Sequence, residues 1–254
     1  MNDLAVVVLA AGKGVRMRSD LPKVFHRVLG EPMLSHVLKS VQELGPAKIL
    51  VVVGYQREMI MSHYRDWPVK FVIQAEQKGT GHAVLQAAPF LDDFSGTVLV
   101  VAGDVPLLST ETMRRLLAFH RKNGAVATDL TAELPDGGNY GRIVRQVGGE
   151  LLKIVEKKDA TPEELRIREV NTGTFCFDKE ALFAALAEVG SENAQKEYYL
   201  TDTIEILRRQ GKSVFAFSTN DPAETLGVNT REELAEIEKL LRLRRERLAD
   251  ATAK

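Results

Sequence analysis

The first half of the chain alternates short runs of apolar, β-branched residues with segments in which apolar residues recur every three or four positions. The continuous runs predict buried strands, and the recurring pattern predicts helices with one apolar face. We expect strands over Leu4–Ala10, Ile49–Val53, Val69–Ile73 and Thr97–Ala102, and helices over Met33–Leu44, Gln56–Tyr64, His82–Ala88 and Thr110–Lys122. This alternation predicts an α/β fold with a doubly wound, mostly parallel, Rossmann-like sheet.

The second half has a more mixed pattern, with turn residues between its short apolar runs. The runs predict strands over Val126–Ala132, Gly141–Gln146, Leu151–Glu156 and Thr174–Phe177, then a helix over Leu200–Gln210 and a strand over Val214–Phe217. We interpret the first of these as a smaller antiparallel lobe. A long charged helix follows, with apolar residues from Leu234 to Leu248 along it. The predicted organisation is one domain over 1–230 and a C-terminal charged helix over 231–254.

Composition and charge exclude several classes of protein. The net charge is −1, so the molecule as a whole has no electrostatic reason to bind nucleic acid or an anionic membrane. A single cysteine, Cys176, excludes an internal disulfide. The apolar run at the N-terminus is short and has no basic segment before it, which is not typical of a signal peptide or a membrane span. We therefore expect a cytoplasmic protein without a membrane partner.

A glycine-rich turn follows the first predicted strand, in the segment LAAGKGVRM. Gly12 and Gly14 allow close approach of the backbone, and Lys13 and Arg16 add positive charge, so the turn is suited to binding phosphate. It matches neither the dinucleotide-binding pattern G-x-G-x-x-G nor the P-loop. From these residues alone, a tight turn without a ligand is an equally good interpretation. Lys23, which follows a proline, is placed where it could fold back and complete a clamp for a polyphosphate.

Two further polar residues stand next to predicted strands. Asp104 follows the fourth strand, and ligands of open α/β sheets lie at the carboxyl ends of strands. It could hold Mg²⁺ or cap the next helix, and the residues alone leave both interpretations open. Gln74 ends the third strand and could recognise a base through its amide, although alone it is more typical of a surface residue. The histidines show no spacing typical of metal ligands.

Motifs spread along most of the chain resemble, in order, those of the sugar-phosphate nucleotidyltransferases. The resemblance is greatest to the pyrophosphorylase half of the bifunctional bacterial N-acetylglucosamine-1-phosphate uridyltransferases. It covers roughly residues 4 to 231. The motifs are LAAGKGVRM with SDLPK, QAEQKGTGHA from Gln74, AGDVPL from Ala102, NYGRI from Asn139, VEKKD from Val155, VNTG from Val170, AQKEYYLTD from Ala194, and GVN from Gly227.

The resemblance implies a role for each matching residue. Arg16 and Lys23 are expected to be catalytic, and Asp104 and Asn229 to bind the metal, Mg²⁺. The expected nucleotide-binding residues are Leu9, Ala10, Ala11, Gly12, Gly14, Lys23, Gln74, Gly79, Thr80 and Gly103. The expected sugar-binding residues are Gly141, Glu156, Asn171 and Asn229. Two positions depart from the family pattern: Val15 stands where a hydroxyl residue is common, and Ala102 where tyrosine is common.

The activity that the resemblance implies is the transfer of uridylyl from UTP to N-acetylglucosamine 1-phosphate. The products are UDP-N-acetylglucosamine, a precursor of cell-wall peptidoglycan, and pyrophosphate. Three alternatives remain: a related nucleotidyltransferase with another base or sugar, a regulator that binds sugar nucleotides without catalysis, and a Rossmann oxidoreductase, which the turn pattern disfavours. Hexapeptide repeats, which carry acetyl transfer in the bifunctional family, do not occur in the sequence, so we expect no acetyltransferase activity from it.

Overall fold

The structure is a computed structural model that describes residues 3–252, with side chains as far as residue 246. The described residues exclude 1, 2, 253 and 254, which are the ends of the predicted units 1–230 and 231–254. The side chain of Leu248 is also outside the described part. The strands are β1 (Leu4–Ala10), β2 (Arg27–Val28), β3 (Glu31–Pro32), β4 (Lys48–Val53), β5 (Lys70–Ile73), β6 (Thr97–Ala102), β7 (Ala127–Glu133), β8 (Arg142–Arg145), β9 (Leu151–Val155), β10 (Glu169–Asp178) and β11 (Val214–Ser218). The helices are α1 (Met33–Gln42), α2 (Arg57–His63), α3 (Thr80–Leu85), α4 (Thr110–Lys122), α5 (Lys179–Leu186), α6 (Asp202–Arg209) and α7 (Arg231–Thr252).

One mixed sheet of nine strands forms the centre of the molecule. Seven strands follow the order β11-β7-β10-β6-β1-β4-β5, and β8 and β9 extend the sheet beside β10. Parallel pairs join β1 to β4 and β6, β4 to β5, and β7 to β11. β10 alone among the seven runs antiparallel to its neighbours. The predicted mostly parallel α/β sheet is therefore confirmed.

Helices cover both faces of the sheet because the strands bury alternate side chains on opposite sides. In β1, Val6 and Val8 belong to the core shared with α1, α2 and α4, whereas Ala5 and Val7 belong to the core shared with α3, α5 and α6. All four side chains are fully buried. This arrangement explains why β1 reads as a continuous apolar run instead of an alternating one.

β10 bends at a bulge and so opens space beside the end of β6. The register shifts between Asn171 and Phe175, and Gly173 in the bulge has φ 77°. Beyond the bulge, residues from Phe175 pair with β6 only as far as Val100. The other half of β10 pairs with β8 instead, and the β8–β9 hairpin continues the same sheet. Bulges of this kind redirect side chains near functional sites.

Most predicted elements are confirmed, and the largest differences lie around β10. The sequence predicted a strand only over Thr174–Phe177, because the polar residues before it interrupt the apolar run. The following helix α5 was not predicted, although the Asp178 carboxylate caps it by accepting from the Ala181 amide at 2.9 Å. The predicted helix over His82–Ala88 begins two residues earlier and ends at Leu85.

Helix α7 packs against the glycine-rich end of the domain. A small core, separate from the two sheet faces, joins Met17, Met33, Leu107, Val228 and Ile237. Met17 lies in the turn after β1, and Ile237 lies in α7, so this core connects the two ends of the described chain. Across residues 3–252, the apolar length needed to cross a bilayer is not reached by any helix.

Candidate active site

Two cavities open at the carboxyl ends of the central strands. The first cavity, of about 310 Å³, is lined by Leu9, Ala10, Ala11, Gly12, Lys23, Val24, Gln74, Gln77, Gly79, Thr80, Ala83, Ala102, Asp104 and Glu197. The second cavity, of about 220 Å³, is lined by Arg16, Ala102, Asp104, Val105, Asn139, Tyr140, Gly141, Glu156, Asn171, Thr172, Gly173, Gly227 and Asn229. Ala102 and Asp104 border both cavities. The two cavities therefore adjoin each other at these two residues.

The glycine-rich turn after β1 depends on Gly14 more than on Gly12. Gly14 has φ 68°, and a Cβ at this position would lie 2.6 Å from the Cβ of Lys23. A side chain there would displace Lys23 from the cavity. Gly12 has no positive φ and open space around it, so its role is to leave room in the first cavity. Lys13 turns away, with its Nζ 5.2 Å from the centre of the Tyr55 ring.

Four charged and polar side chains meet where the cavities join. The Lys23 ammonium forms an ion pair with Asp104 and donates to Asn229 Oδ1 at 2.6 Å. The Arg16 guanidinium donates to the same Asn229 oxygen at 2.8 Å. These residues come from the segment between β1 and β2, the residues just after β6 and the segment before α7. The fold thus brings together the predicted catalytic pair and the predicted metal ligands.

Asn229 is held in place by the start of α7. Glu233 accepts hydrogen bonds from the backbone amides of Asn229 at 2.5 Å and Thr230 at 3.1 Å, and its own amide donates to Thr230 Oγ1 at 3.2 Å. This is a capping box, in which residues at the first turn satisfy each other's backbone donors. Arg231 donates to the carbonyl oxygens of Met17 and Arg18, both at 3.2 Å, so it ties α7 to the turn that carries Arg16.

The loop between Gln74 and α3 closes the far end of the first cavity. Gln74 is buried, with 3% of its surface exposed. Gly79 has φ 106°, and a Cβ there would lie 2.6 Å from the Tyr198 carbonyl oxygen. Thr80 Oγ1 accepts from the Leu200 amide at 3.0 Å. The segment Tyr198–Leu200 therefore buttresses this loop, which explains why only glycine fits at position 79.

The second cavity has polar walls formed by β10 and the neighbouring loops. The backbone amide of Asn171 donates to the backbone carbonyl of Gly141 at 3.0 Å, which holds these two predicted residues side by side. Asn171 Oδ1 accepts from the Gly173 amide at 2.8 Å. Glu156 Oε1 accepts from Thr201 at 3.1 Å. Burial raises the pKa of the Glu156 carboxyl, and nearby acidic residues raise it further, while the bond from Thr201 acts in the opposite direction.

The structure places nearly all predicted site residues on the two cavities. Gly14 and Gly103 are exceptions: Gly14 packs against Lys23, and Gly103 donates its amide to the Leu9 carbonyl at 2.9 Å. Sequence reasoning missed Gln77, Glu197, Tyr140, Thr172 and Thr201. Gln77, Tyr140 and Thr201 have hydrogen bonds to residues of the walls. Thr172 donates to the Leu130 carbonyl at 2.7 Å, and the Glu197 backbone is bonded to the Asn193 side chain. All five stand inside or beside the resembling motifs, which was the available signal.

A mostly parallel sheet carries the glycine-rich turn, and Arg16 and Lys23 meet where the two cavities adjoin. This arrangement is typical of nucleotidyltransferases. The model of the MobA-like NTP transferase domain matches residues 6–247. The chain belongs to this family.

The chain is also 52% identical over 242 residues to the bifunctional protein GlmU of Pelotomaculum thermopropionicum. This match covers 95% of the chain and 53% of that protein. GlmU of Enterococcus faecalis is 48% identical, covering 96% of the chain and 53% of that protein. The chain thus spans about half the length of these relatives.

Solved structures of other nucleotidyltransferases share the fold. A putative glucose-1-phosphate thymidylyltransferase from Bacillus anthracis, in complex with sucrose, superposes with a TM-score of 0.74 at 18% identity, covering 93% of this chain and 94% of that one. A UDP-glucose pyrophosphorylase complexed with UDP-glucose superposes with a TM-score of 0.73 at 17% identity, covering 94% of this chain and 98% of that one. At such identities, the likeness establishes the fold.

Proposed function

We propose that the chain transfers uridylyl from UTP to N-acetylglucosamine 1-phosphate, giving UDP-N-acetylglucosamine and pyrophosphate. One observation carries the proposal: motifs that are far apart in sequence and resemble N-acetylglucosamine-1-phosphate uridyltransferases line two cavities that meet at Asp104. The first cavity is the proposed site of UTP, and the second is the proposed site of the sugar phosphate. The high identity to the relatives named GlmU supports the same assignment.

The proposed reaction needs no side chain as a base. A sugar phosphate loses its second proton with a pKa of about 6, so at neutral pH its oxygen is already a nucleophile. This oxygen attacks the α-phosphorus of UTP in line, the bond from that phosphorus to the bridging oxygen breaks, and pyrophosphate leaves with the electron pair. The contribution of Arg16 and Lys23 is to align the phosphates and to stabilise the charge on the leaving group.

Asp104 and Asn229 are suited to hold a divalent cation between the substrates. Their side-chain oxygens both contact the single ammonium of Lys23, so they already converge on one positive charge. A carboxylate and an amide oxygen, completed by phosphate oxygens and water, are a donor set that suits Mg²⁺. Among the described residues there is no cluster of three or more His, Cys, Asp or Glu that could hold a metal. The bound cation would neutralise phosphate charge.

In the second cavity, the proposed sugar contacts come from Gly141, Glu156 and Asn171. The Glu156 carboxylate can accept from sugar hydroxyls, and Thr201 fixes the orientation of one of its oxygens. The Asn171 oxygen is engaged by the Gly173 amide, which leaves the amide nitrogen as the donor toward a hydroxyl or acetamido oxygen. These three residues give the second cavity both donors and acceptors, as recognition of an acetamido sugar requires.

The experiment is a matrix of UTP, CTP, dTTP and ATP against N-acetylglucosamine 1-phosphate, glucose 1-phosphate and glucosamine 1-phosphate, with release of pyrophosphate measured. We expect the highest kcat/KM for UTP with N-acetylglucosamine 1-phosphate, and no turnover without Mg²⁺. Asp104→Ala should abolish turnover, whereas Asp92→Ala, which alters an exposed aspartate, should not. A higher kcat/KM for another pair would replace this assignment with a related nucleotidyltransferase.

A further inference from the structure

His82 makes a contact with Gln74 that the proposed reaction does not use. His82 lies in the first turn of α3, and its Nδ1 is 3.0 Å from Gln74 Nε2. Gln74 lines the first cavity, whereas His82 lines a different pocket, with Leu85 and Tyr198. The histidine therefore reaches the first cavity only through the amide of Gln74.

A second contact of the same amide identifies which of its two atoms is the nitrogen. Gln74 Nε2 also lies 3.1 Å from the carbonyl oxygen of Gly79. A carbonyl oxygen only accepts hydrogen bonds, so the atom facing it must be the amide nitrogen. The same nitrogen then donates its other hydrogen to His82 Nδ1. The ring must carry its proton on Nε2, because Nδ1 acts as the acceptor.

Two neighbouring groups, Gln86 and Tyr198, also contact the His82 ring. On the other side of the ring, the Gln86 amide nitrogen lies 3.3 Å from His82 Nε2 and donates to the His82 carbonyl oxygen at 3.2 Å. A neutral imidazole accepts at only one of its two nitrogens, so the two amides compete for the ring. The shorter contact, 3.0 Å from Gln74 to Nδ1, favours the proton on Nε2, and Gln86 then keeps its bond to the carbonyl oxygen. The Tyr198 ring lies 6.3 Å from the His82 ring, centre to centre, and tilted to it. The orientation of the Gln74 amide therefore depends on two acceptors, the Gly79 carbonyl and His82 Nδ1.

We infer that His82 is a positioning residue that makes Gln74 present only its side-chain oxygen to the base, and that this selects bases with an N–H at ring position 3. Both amide hydrogens are used inside the protein, so the group left for the ligand is an acceptor. Uracil and thymine donate from N3. Cytosine has an unprotonated N3 that would face the Gln74 oxygen with lone pair against lone pair. This inference rests on the proposed role of the first cavity as the nucleotide site.

A buried side-chain amide that loses one of its two acceptors is less strongly held in one orientation and can rotate. Without His82 Nδ1, only the Gly79 carbonyl opposes a half-turn about the last side-chain bond, which would present the nitrogen to the base. A site that can switch between donor and acceptor no longer rejects cytosine by unpaired polar groups. Discrimination between UTP and CTP should fall, while discrimination between UTP and dTTP should not change, because both bases carry the same N3–H.

The test compares His82→Leu, which removes the acceptor, with His82→Asn, whose side-chain oxygen can replace Nδ1. The measured quantity is the ratio of kcat/KM for UTP to that for CTP, with dTTP as internal reference and the melting temperature as a check on folding. We expect His82→Leu to lower the UTP/CTP ratio about tenfold, the effect of one oriented hydrogen bond. His82→Asn should keep most of the ratio. Leu85→Ala, an exposed position on the same helix, is the matched control.

An unchanged UTP/CTP ratio in a folded His82→Leu protein would overturn the inference. So would an equal loss in His82→Leu and His82→Asn, because the acceptor would then not be the cause. If the parent protein does not turn over UTP, the proposed function fails. The inference is then tested by calorimetric binding of UDP and CDP to the same variants, where the same change in preference is expected.

Discussion

At the scale of single residues, the charges at the junction of the two cavities satisfy one another. Lys23 is paired with Asp104, and both Lys23 and Arg16 donate to Asn229. Asn229 and Asp104 are the proposed ligands of the cation, so binding of substrate and metal must redistribute these contacts. The basic side chains then become available to the triphosphate. An interaction that forms during the reaction acts on kcat more than on substrate binding.

We therefore expect Arg16→Ala and Lys23→Ala to lower kcat by roughly 10²–10³, the effect of losing one preorganised donor. Binding of UDP-N-acetylglucosamine should stay within about tenfold of the parent, because the product lacks the pyrophosphate that these charges hold. Steady-state kinetics and calorimetry of product binding measure the two effects. Arg18→Gln removes a charge from the same turn and should leave kcat close to the parent value.

Near-normal kcat in both alanine variants, together with a raised KM for UTP, would mean that Arg16 and Lys23 only dock the substrate. Arg16→Lys adds a further comparison. An ammonium cannot reproduce two parallel contacts of a guanidinium, so this variant should recover little activity if Arg16 binds phosphate through both of its terminal nitrogens.

Asp129, in the middle of β7, is a buried carboxyl without a hydrogen-bond partner for either oxygen among the described residues. It lies opposite Phe175 of β10 and Ala216 of β11 and is fully buried. Burial raises the pKa of this carboxyl well above its ordinary value of 3.8, and Glu169 and Glu156 raise it further, against the opposing effect of Arg145. The folded protein therefore keeps a proton that the unfolded chain loses.

This pKa shift gives the stability of the protein a pH dependence that we expect to be measurable. Unfolding releases the proton of Asp129 once the pH exceeds the ordinary pKa of the carboxyl. The free energy of unfolding therefore falls as the pH rises from this ordinary pKa towards the raised pKa of the folded protein. Asp129→Asn has nearly the same shape and cannot ionise. It should exceed the parent in free energy of unfolding by about 1–3 kcal/mol near neutral pH, with the difference vanishing near pH 4, close to the carboxyl's ordinary pKa. Urea unfolding at several pH values measures this.

Asp178→Asn is a less suitable control because Asp178 caps α5, so the exposed Asp92→Asn serves instead. It should show no such pH-dependent gain. If Asp129→Asn were equally destabilising at every pH, the carboxylate would have to have a partner in the folded protein. The buried, unpaired state described here would then be wrong.

At the scale of elements, the start of α7 supports the site. The capping box satisfies the amides of Asn229 and Thr230, and Arg231 fastens α7 to the turn with Arg16. Thr230 takes the capping position, which leaves the Asn229 side chain free to face the second cavity. The charged helix that follows thus supports the candidate site, and the small apolar core that it shares reaches Met17.

We expect Glu233→Ala to lower both the apparent affinity for Mg²⁺ and the stability of the protein. Loss of the cap should cost about 1 kcal/mol of unfolding free energy, and the Mg²⁺ concentration for half-maximal activity should rise several-fold because Asn229 is less well held. Glu233→Gln should restore both, since an amide oxygen also accepts in a capping box. Titration of Mg²⁺ in the kinetic assay and thermal unfolding provide the measurements.

Glu236→Ala, an exposed glutamate on the same helix, is the control and should behave as the parent. Should Glu233→Ala lower the melting temperature while the Mg²⁺ requirement stays constant, the cap would stabilise α7 without positioning Asn229.

At the scale of the whole molecule, the two cavities lie between the central strands and the segments that fold over them. A nucleotide sugar that fills both would contact the turn after β1, the loop before α3, β10 and the segment before α7. Such a ligand links distant parts of the chain. It also stabilises the folded state by binding to it alone.

UDP-N-acetylglucosamine at about 100 times its Kd should therefore add about 2.7 kcal/mol to the free energy of unfolding. For a domain of this size this corresponds to a rise in melting temperature of roughly 5–11 °C. Thermal unfolding with and without ligand measures the shift, and NAD should produce none. A shift with NAD and none with the nucleotide sugar would favour the oxidoreductase alternative.

The sequence by itself was sufficient for the elements that form by local pattern. The run Leu4–Ala10 predicted β1 with its bounds as observed, because a strand buried on both faces is apolar throughout. Thr110–Lys122 was likewise predicted with the bounds of α4, whose cap is Ser109. The site residues were found through motifs that keep their order along the chain. Their roles remain predictions until the proposed experiments are made.

Only the tertiary structure decided how these motifs meet. The bulge in β10 ends its pairing with β6 at Val100 and so makes room for the second cavity, and no local pattern showed it. The contact of Lys23 with Asn229 spans 206 positions of the chain, and that of Gln74 with His82 depends on the loop closed by Gly79. Hydropathy reports which residues are buried, because burial depends on each side chain. It does not report which polar atoms face each other, because that depends on how the strands are ordered and bent.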